Sequence, residues 1–491
     1  MKLPRALRLD RRRILSLLRY VVVAGLAVLA TVVVGFAIQA RLRLPPLQLW
    51  HRAPLTAEYR VDAADAPQRF EDYLQQEARL FAQLDQVIAD AAITEPVSRF
   101  NPQSAPGQLA RAERANRSYE LLPAEPTGAV LLVHGLSDSP YSMHALADWY
   151  FARGFYVLSL RLPGHGTMPS GLLDVRWQDW YGAVMLAAKH AAARTHGGPL
   201  HLCGYSTGAA LVALLATRSL ADDTLPRPDR LVLLSAAIGV SPFAALANVA
   251  STLACVPYFE TADWLDVLPE YDPYKYNSFP VNAGNQIYRL TGALREELAQ
   301  NRARLGEMPR ILAFQSVIDA TVSAADLVEA LLLQLPEHDH ELVAFDINRS
   351  DGWASLAAPS MRDGLQRIEA MPALPFDLRV IGNATPAAPN VAAFVRPAGS
   401  RETTVEALDL AWPEHVFSLG HVALPFPIDD PVYGLRPRQV EGPRWPLGQD
   451  VARGEAGANT LPFSSLARLR CNPFFAVIEQ RLAAAVEHDR R

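Results

Sequence analysis

The hydrophobic pattern changes character several times along the chain. Tyr20 to Ala40 is an apolar run without a single charged residue, close to the ~20 residues that a helix needs to cross a bilayer. Between Pro67 and Ile88 the positions Phe70, Tyr73, Leu74, Glu77, Leu80, Phe81, Leu84, Val87 and Ile88 recur at helical spacing. They predict one amphipathic helix, with Asp65 near its cap and Pro67 in its first turn. Residues 94–115 show no periodicity and are expected to be loop.

From residue 116 onward short apolar runs alternate with longer amphipathic ones. Strands are expected near 129–134, 156–161, 200–204, 230–235, 310–315 and 341–347. Helices are expected near 141–152, 177–194, 207–219, 323–335 and 473–487. This alternation predicts an α/β fold with a mostly parallel sheet flanked by helices. Two stretches break the rhythm. Residues 243–306 are rich in aromatics and proline, including Phe243, Tyr258, Phe259, Trp264, Tyr271, Tyr274, Tyr276 and Phe279. Residues 349–410 form the second, with an expected strand at 376–381.

Half of the 491 residues are hydrophobic, so a large core can be built. The net charge of −5 hides an asymmetry, because Lys2, Arg5, Arg8, Arg11, Arg12, Arg13 and Arg19 stand against Asp10 alone at the start. The remainder is therefore strongly acidic, which argues against a nucleic-acid partner. The basic cluster before the apolar run marks a cytoplasmic N-terminus, and places the rest of the chain outside the cytoplasm. That side would be periplasmic in a Gram-negative bacterium. A cleavable signal peptide ending near Ile38-Gln39-Ala40 is the rival reading, although the run exceeds the usual ~7–15 residues. Cys203, Cys255 and Cys471 lack metal-site spacing. Cys203 is expected to be a buried small hydrophobe, and a Cys255–Cys471 disulfide is open.

Chemistry concentrates where the run Leu200–Cys203 enters Gly204-Tyr205-Ser206-Thr207-Gly208 and then the small apolar segment Ala209–Leu215. Glycines two before and two after a serine let a strand and a helix pass closely, and lift the hydroxyl clear of the sheet. Around this turn lie Ala129–Val133 running into His134-Gly135-Leu136-Ser137, Tyr156–Leu162 running into Pro163-Gly164-His165-Gly166-Thr167, Arg310–Asp319, and Phe417–Val422 with His421. The set, in this order, resembles the α/β-hydrolase superfamily, within it the monoacylglycerol lipase and small carboxylesterase branch. The likeness covers roughly residues 116–485.

The resemblance implies a catalytic triad of Ser206 as nucleophile, His421 as base and Asp319 behind it, with Leu136 and Thr207 amides as an oxyanion hole. His415 competes for the base, and Asp346 and Asp351 for the acid. His134 and His165 are expected to brace loops, and Leu136 and Tyr205 to flank an acyl pocket. The family places a lid at 243–306. It also reaches its histidine soon after the last strand, whereas Asp319 and His421 stand 102 residues apart.

The implied organisation is a basic tail at 1–19, a transmembrane anchor at 20–40, and a linker with amphipathic helix at 41–115. Hydrolase core follows at 116–242, the lid insertion at 243–306, and the second core part at 307–491 with its own insertion at about 349–410. The expected function is a membrane-anchored serine hydrolase acting on carboxylic esters, with a small-molecule ester or lipid substrate. Thioesterase, acyltransferase and peptidase chemistry use the same triad, and a non-catalytic scaffold binding lipid or a partner is the alternative from another class. No His-Glu-x-x-His, Cys-x-x-Cys, dinucleotide fingerprint or phosphate loop occurs, so no metal or nucleotide cofactor is expected.

Overall fold

Strands β2 (Ala129–Val133), β3 (Tyr156–Leu160), β4 (Leu200–Tyr205) and β5 (Arg230–Leu234) are buried at every position. That explains their unbroken apolar sequence, since a parallel sheet is covered on both faces. The computed structural model describes residues 11–239, 257–319, 321–336, 339–350, 352, 355, 370–371, 373–449 and 467–490. The sheet is completed by β1 (Tyr119–Leu121), β8 (Arg310–Ser316), β9 (Glu341–Phe345), β10 (Asp377–Asn383), β11 (Asn390–Arg396) and β12 (Thr404–Ala411). Its order is β1-β3-β2-β4-β5-β8-β9-β10-β11-β12. Pairing is parallel from β3 through β10, while β1, β11 and β12 join antiparallel to their neighbours. This is the α/β-hydrolase fold.

Alternation along each strand separates the two faces. Leu131, Val133, Leu158 and Leu202 face one apolar cluster with helices α6 (Trp177–Ala192) and α7 (Thr207–Ser219). Val130, Leu132, Cys203, Val232 and Leu312 face another with α5 (His144–Phe151) and the C-terminal helix Phe475–Asp489. Asp489 fastens that last helix to the sheet through buried contacts with Arg230, Arg310 and His201. Cys203 and Cys471 are free, buried thiols, and Cys255 lies outside the described residues.

Residues before the sheet close its flank. Helix α1 (Arg11–Arg43) contains the uncharged run, and its Val21, Val22, Val23, Leu26, Val28, Val32, Val34 and Ile38 side chains are exposed. Among the described residues no helix is long and apolar enough to cross a membrane. The side chains of Leu29, Ala30, Val33, Phe36, Ala37 and Ala40, within the expected anchor, lie outside the description. A short turn of helix, α2 (Leu49–Arg52), follows.

The amphipathic helix α3 spans Phe70–Ala91 and buries Phe70, Tyr73, Glu77, Leu80, Phe81, Leu84 and Ile88 against the body. It starts later than expected, with Arg69 at the cap and Glu71 and Asp72 in the first turn. There their negative charge meets the helix dipole, so Asp65 and Pro67 remain outside. Within the expected loop at 94–115, Ala105–Ala110 forms a short helix α4 because Ser104 caps it, accepting from Gly107 N at 2.9 Å.

The two interruptions take different forms. Of residues 243–306, those from 257 onward are described. They form a small hairpin, β6 (Trp264–Asp266) with β7 (Phe279–Pro280), and then helix α8 (Val281–Gln300). Helix α8 lies along α7, joining its apolar cluster through Ile287, Leu290, Leu294 and Leu298, with an Arg218–Glu297 ion pair at 2.7 Å. The described part of the interruption at 349–410 contributes not one strand but three, β10 to β12, which extend the sheet.

Residues 416 and 417 return from that excursion to the end of β9. Asn348 N–H donates to the Phe417 carbonyl at 2.8 Å, and its side-chain amide to the Val416 carbonyl at 3.0 Å. The segment leading to His421 is therefore fastened beside the end of β9 although it is far from it in sequence. The departure in sequence spacing is absorbed by added strands.

Candidate active site

Ser206 occupies the sharp turn between β4 and α7 with φ 54° and ψ −113°, a conformation that an L-residue adopts only under constraint. The constraint is crowding by its neighbours. A Cβ on Gly204 would come within 2.4 Å of Ala209 N, and one on Gly208 within 2.1 Å of the Val133 carbonyl oxygen. Ser206 N–H is occupied by the Leu234 carbonyl at 2.9 Å. The N–H groups of Thr207 and Gly208 precede the first bond of α7, from Ala209 N–H to the Ser206 carbonyl at 3.1 Å, and carry the positive end of the helix dipole.

The structure brings three of the sequence-selected residues together. His421 Nε2 lies 3.1 Å from Ser206 Oγ, and His421 Nδ1 lies 2.7 Å from Asp319 Oδ2. Donation from Nδ1–H to Asp319 leaves the Nε2 lone pair for the serine proton. Asp319 Oδ1 accepts from Thr321 N at 2.8 Å and Val322 N at 3.0 Å, and Oδ2 also accepts from Gln315 Nε2 at 3.0 Å. Burial alone would raise this carboxyl. The His421 bond and charge, with the two backbone donors, outweigh it and hold the pKa below the usual carboxylate value.

Ser206 and His421 are 7% and 5% exposed, so the pair is largely shielded yet reachable. They open onto a cavity of about 330 Å³ lined by Leu136, Thr207, Ala237, Phe279, Ile287, Val322 and Val422 among others. Leu136 and Thr207 thus border the space where a reacting carbonyl would sit. Tyr205, expected beside Leu136 in an acyl pocket, has another position. It is buried, and its hydroxyl donates to the His421 carbonyl at 3.3 Å, behind the imidazole.

The competing residues lie elsewhere. His415 is exposed on the returning segment, Asp346 pairs with Arg349 at 2.6 Å, and Asp351 lies outside the described residues. His134 is fully buried, with Nδ1 bonded to the Gly135 carbonyl at 2.8 Å and Nε2 accepting from Leu162 N at 3.0 Å. Burial, reinforced by the neighbouring His165, keeps its pKa well below the ordinary value. His165 bonds the Pro163 carbonyl at 3.0 Å, and burial lowers its pKa to about 4. Both act as neutral loop braces. Among the described residues no group of three or more His, Cys, Asp or Glu is placed to hold a metal ion.

Several residues at the site carried no sequence signal. Asp138 follows the His134–Ser137 segment and pairs with Lys275 at 3.1 Å. Gln315 sits inside a strand, and Arg468 follows a stretch without recognisable pattern. Only folding collects them.

Comparisons with known proteins match part of the chain. A family model described as serine aminopeptidase, S33 matches residues 124–336. The match includes Ser206 and Asp319 and stops before the added strands and His421. A thermostable monoacylglycerol lipase of Bacillus sp. (strain H-257) is 42% identical over 59 residues, which are 12% of this chain. The chain spans 23% of the length of that curated relative. The monoacylglycerol lipase of Paleococcus ferrophilus overlaps with a TM-score of 0.35 at 18% identity, over 47% of this chain and 89% of that one. A soluble variant of the Saccharomyces cerevisiae monoglyceride lipase overlaps with a TM-score of 0.36 at 14% identity, over 47% and 82%. TM-scores this low carry no argument about activity. The chain resembles the α/β-hydrolase superfamily at its monoacylglycerol lipase and esterase branch.

Proposed function

We propose that the protein is a membrane-anchored serine hydrolase that cleaves carboxylic esters of lipid type. The observation that carries this reading is the continuous relay from Ser206 Oγ to His421 to Asp319. A free serine hydroxyl is a poor nucleophile and needs a base in contact with its proton. In the reaction, Ser206 Oγ attacks the ester carbonyl carbon as its proton passes to His421 Nε2. Amides of Thr207 and Leu136 hold the tetrahedral oxyanion. Collapse expels the alcohol, which takes the proton from His421, and leaves an acyl-serine. Water, deprotonated by His421, attacks the acyl carbon. The serine is regenerated and the carboxylic acid released. Asp319 keeps the imidazole oriented and stabilises it when charged.

Lipid-type substrates are supported by the apolar side of the cavity, from Phe279, Ile287 and Val322, and by the local sequence match to the Bacillus monoacylglycerol lipase. The lid over 243–306 belongs to the same reading. Anchoring through Tyr20–Ala40, with residues 1–19 cytoplasmic and the catalytic domain on the other side, is supported by the uncharged run and by the exposed apolar side chains of α1. A tether there would hold the enzyme where acyl esters are concentrated.

The test is hydrolysis of p-nitrophenyl esters and monoacylglycerols by the full chain in detergent, beside Ser206→Ala and His421→Ala. Both substitutions should lower kcat by roughly 10⁴-fold or more with the fold retained, and Ser206→Ala should abolish fluorophosphonate labelling. Wild-type-like turnover by either variant would remove that residue from the mechanism. The aminopeptidase description of the matching family model favours one further substrate in the panel, an aminoacyl p-nitroanilide. Preference for it over every ester would turn the reading towards a peptidase. For the anchor, the full chain should partition into liposomes and a chain with charged residues at Val28 and Val32 should not.

A further inference from the structure

The Ser206 cavity does not end at the nucleophile. It adjoins a second, smaller space of about 160 Å³, and Asp138, Lys275, Val422 and Arg468 line both. The first space is apolar away from that junction. The second is charged, bringing Lys275, Arg468 and Arg470 together with Asp138 and Asp272. Two of these cations are already matched. Lys275 Nζ lies 3.1 Å from Asp138, and Arg470 lies 3.6 Å from Asp272, which also accepts from Tyr433 Oη at 2.5 Å. Arg468 differs. Its guanidinium donates to Thr321 Oγ1 at 3.3 Å, and among the described residues no carboxylate lies within ion-pair distance of it. Thr321 is two residues from Asp319, whose side chain is already engaged by His421. Among the described residues this exposed guanidinium therefore has no carboxylate partner, and it lines both spaces.

Resting on the esterase reading, we infer that the alcohol part of the substrate carries a phosphate, bound by Arg468 with Lys275 at the junction of the two cavities. The acyl chain would occupy the apolar space beside Phe279, Ile287 and Val322, and the leaving alcohol the charged one. A planar guanidinium presents paired donors that match a phosphate. An adjacent ammonium lets a three-oxygen anion engage both cations, with Asp138 still within reach of Lys275. A neutral glycerol leaving group would make no use of Arg468.

The experiment compares hexanoyl-glycerol phosphate with hexanoyl-glycerol, which share an acyl group short enough to stay in solution. The full chain is assayed with both, beside Arg468→Gln and Arg468→Lys. The wild type should favour the phosphate ester in kcat/KM. Arg468→Gln should raise KM for that ester by about tenfold, the scale of one lost charge-assisted contact. It should lower kcat/KM for the phosphate ester far more than for the neutral ester, and Arg468→Lys should restore much of the loss. Glycerol phosphate should compete against p-nitrophenyl acetate hydrolysis in the wild type and weakly in Arg468→Gln.

Equal kcat/KM for the two esters, or equal losses on both in Arg468→Gln, would overturn the inference while leaving the esterase reading intact. So would failure to turn over the phosphate ester while a fluorophosphonate still labels Ser206. If neither ester is turned over and the serine is not labelled, the esterase reading fails and this inference with it.

Discussion

Glu270 shows how one buried side chain sets a property of the whole chain. It is 2% exposed and accepts from Ser278 N at 2.8 Å and from Asn277 N at 3.1 Å. Burial raises its pKa from 4.5 to about 7, against the opposing pull of Arg99 and these backbone donors. Between those two values the folded chain keeps a proton that the unfolded chain has released. This group therefore makes stability fall as pH rises through that window, with the loss complete above about 7. Glu270→Gln keeps the shape and cannot ionise. Its thermal midpoint, plotted against pH, should be flatter than that of the wild type between pH 4.5 and 7. Superimposable curves would show that Glu270 is not the group responsible. Asp319 has the opposite sign: its lowered pKa contributes stability above the ordinary carboxylate value, lost as pH falls through the folded one.

At the scale of elements, the segment returning to β9 decides whether His421 is held. Asn348 is its fastening, since the side-chain amide donates to Val416 while Oδ1 accepts from Ser350 and from Asn383 at the end of β10. Asn348→Ala should lower kcat on a soluble ester by about 5- to 150-fold, the equivalent of the about 1–3 kcal/mol that an unmatched buried partner costs, with KM little changed. An unaltered kcat would mean that the Phe417 backbone bond suffices. Local signals made the first elements readable. The parallel strands β2, β3, β4, β5, β8 and β9 are largely apolar on both faces, and the serine turn declares itself by two glycines. Strands β11 and β12 gave less away. Position after position of β12 is exposed, and its register against β11 shifts between Asn390 and Ala392, so no clean alternation survives. His421 was legible from its own short segment alone. Arg468 and Lys275 had no such segment, because their meeting depends on distant parts of the chain.

At the scale of the molecule, much of the described chain covers a sheet and carries one histidine to one serine. The serine turn is assembled from residues close in sequence, Gly204 to Gly208, with Leu234 from the next strand. His421 is 215 positions from Ser206, and it arrives by way of three added strands and a fastening at Asn348. That route has a consequence in time rather than in space. Contacts between distant positions must first overcome the entropy of closing the intervening chain, so they form late. A refolding chain should regain its circular dichroism and its buried serine turn before it regains a working base. Enzyme activity followed after dilution from denaturant should therefore lag behind the spectroscopic signal, and simultaneous recovery would show that the histidine is delivered with the sheet. In the interval the new chain would be folded by most measures, and silent.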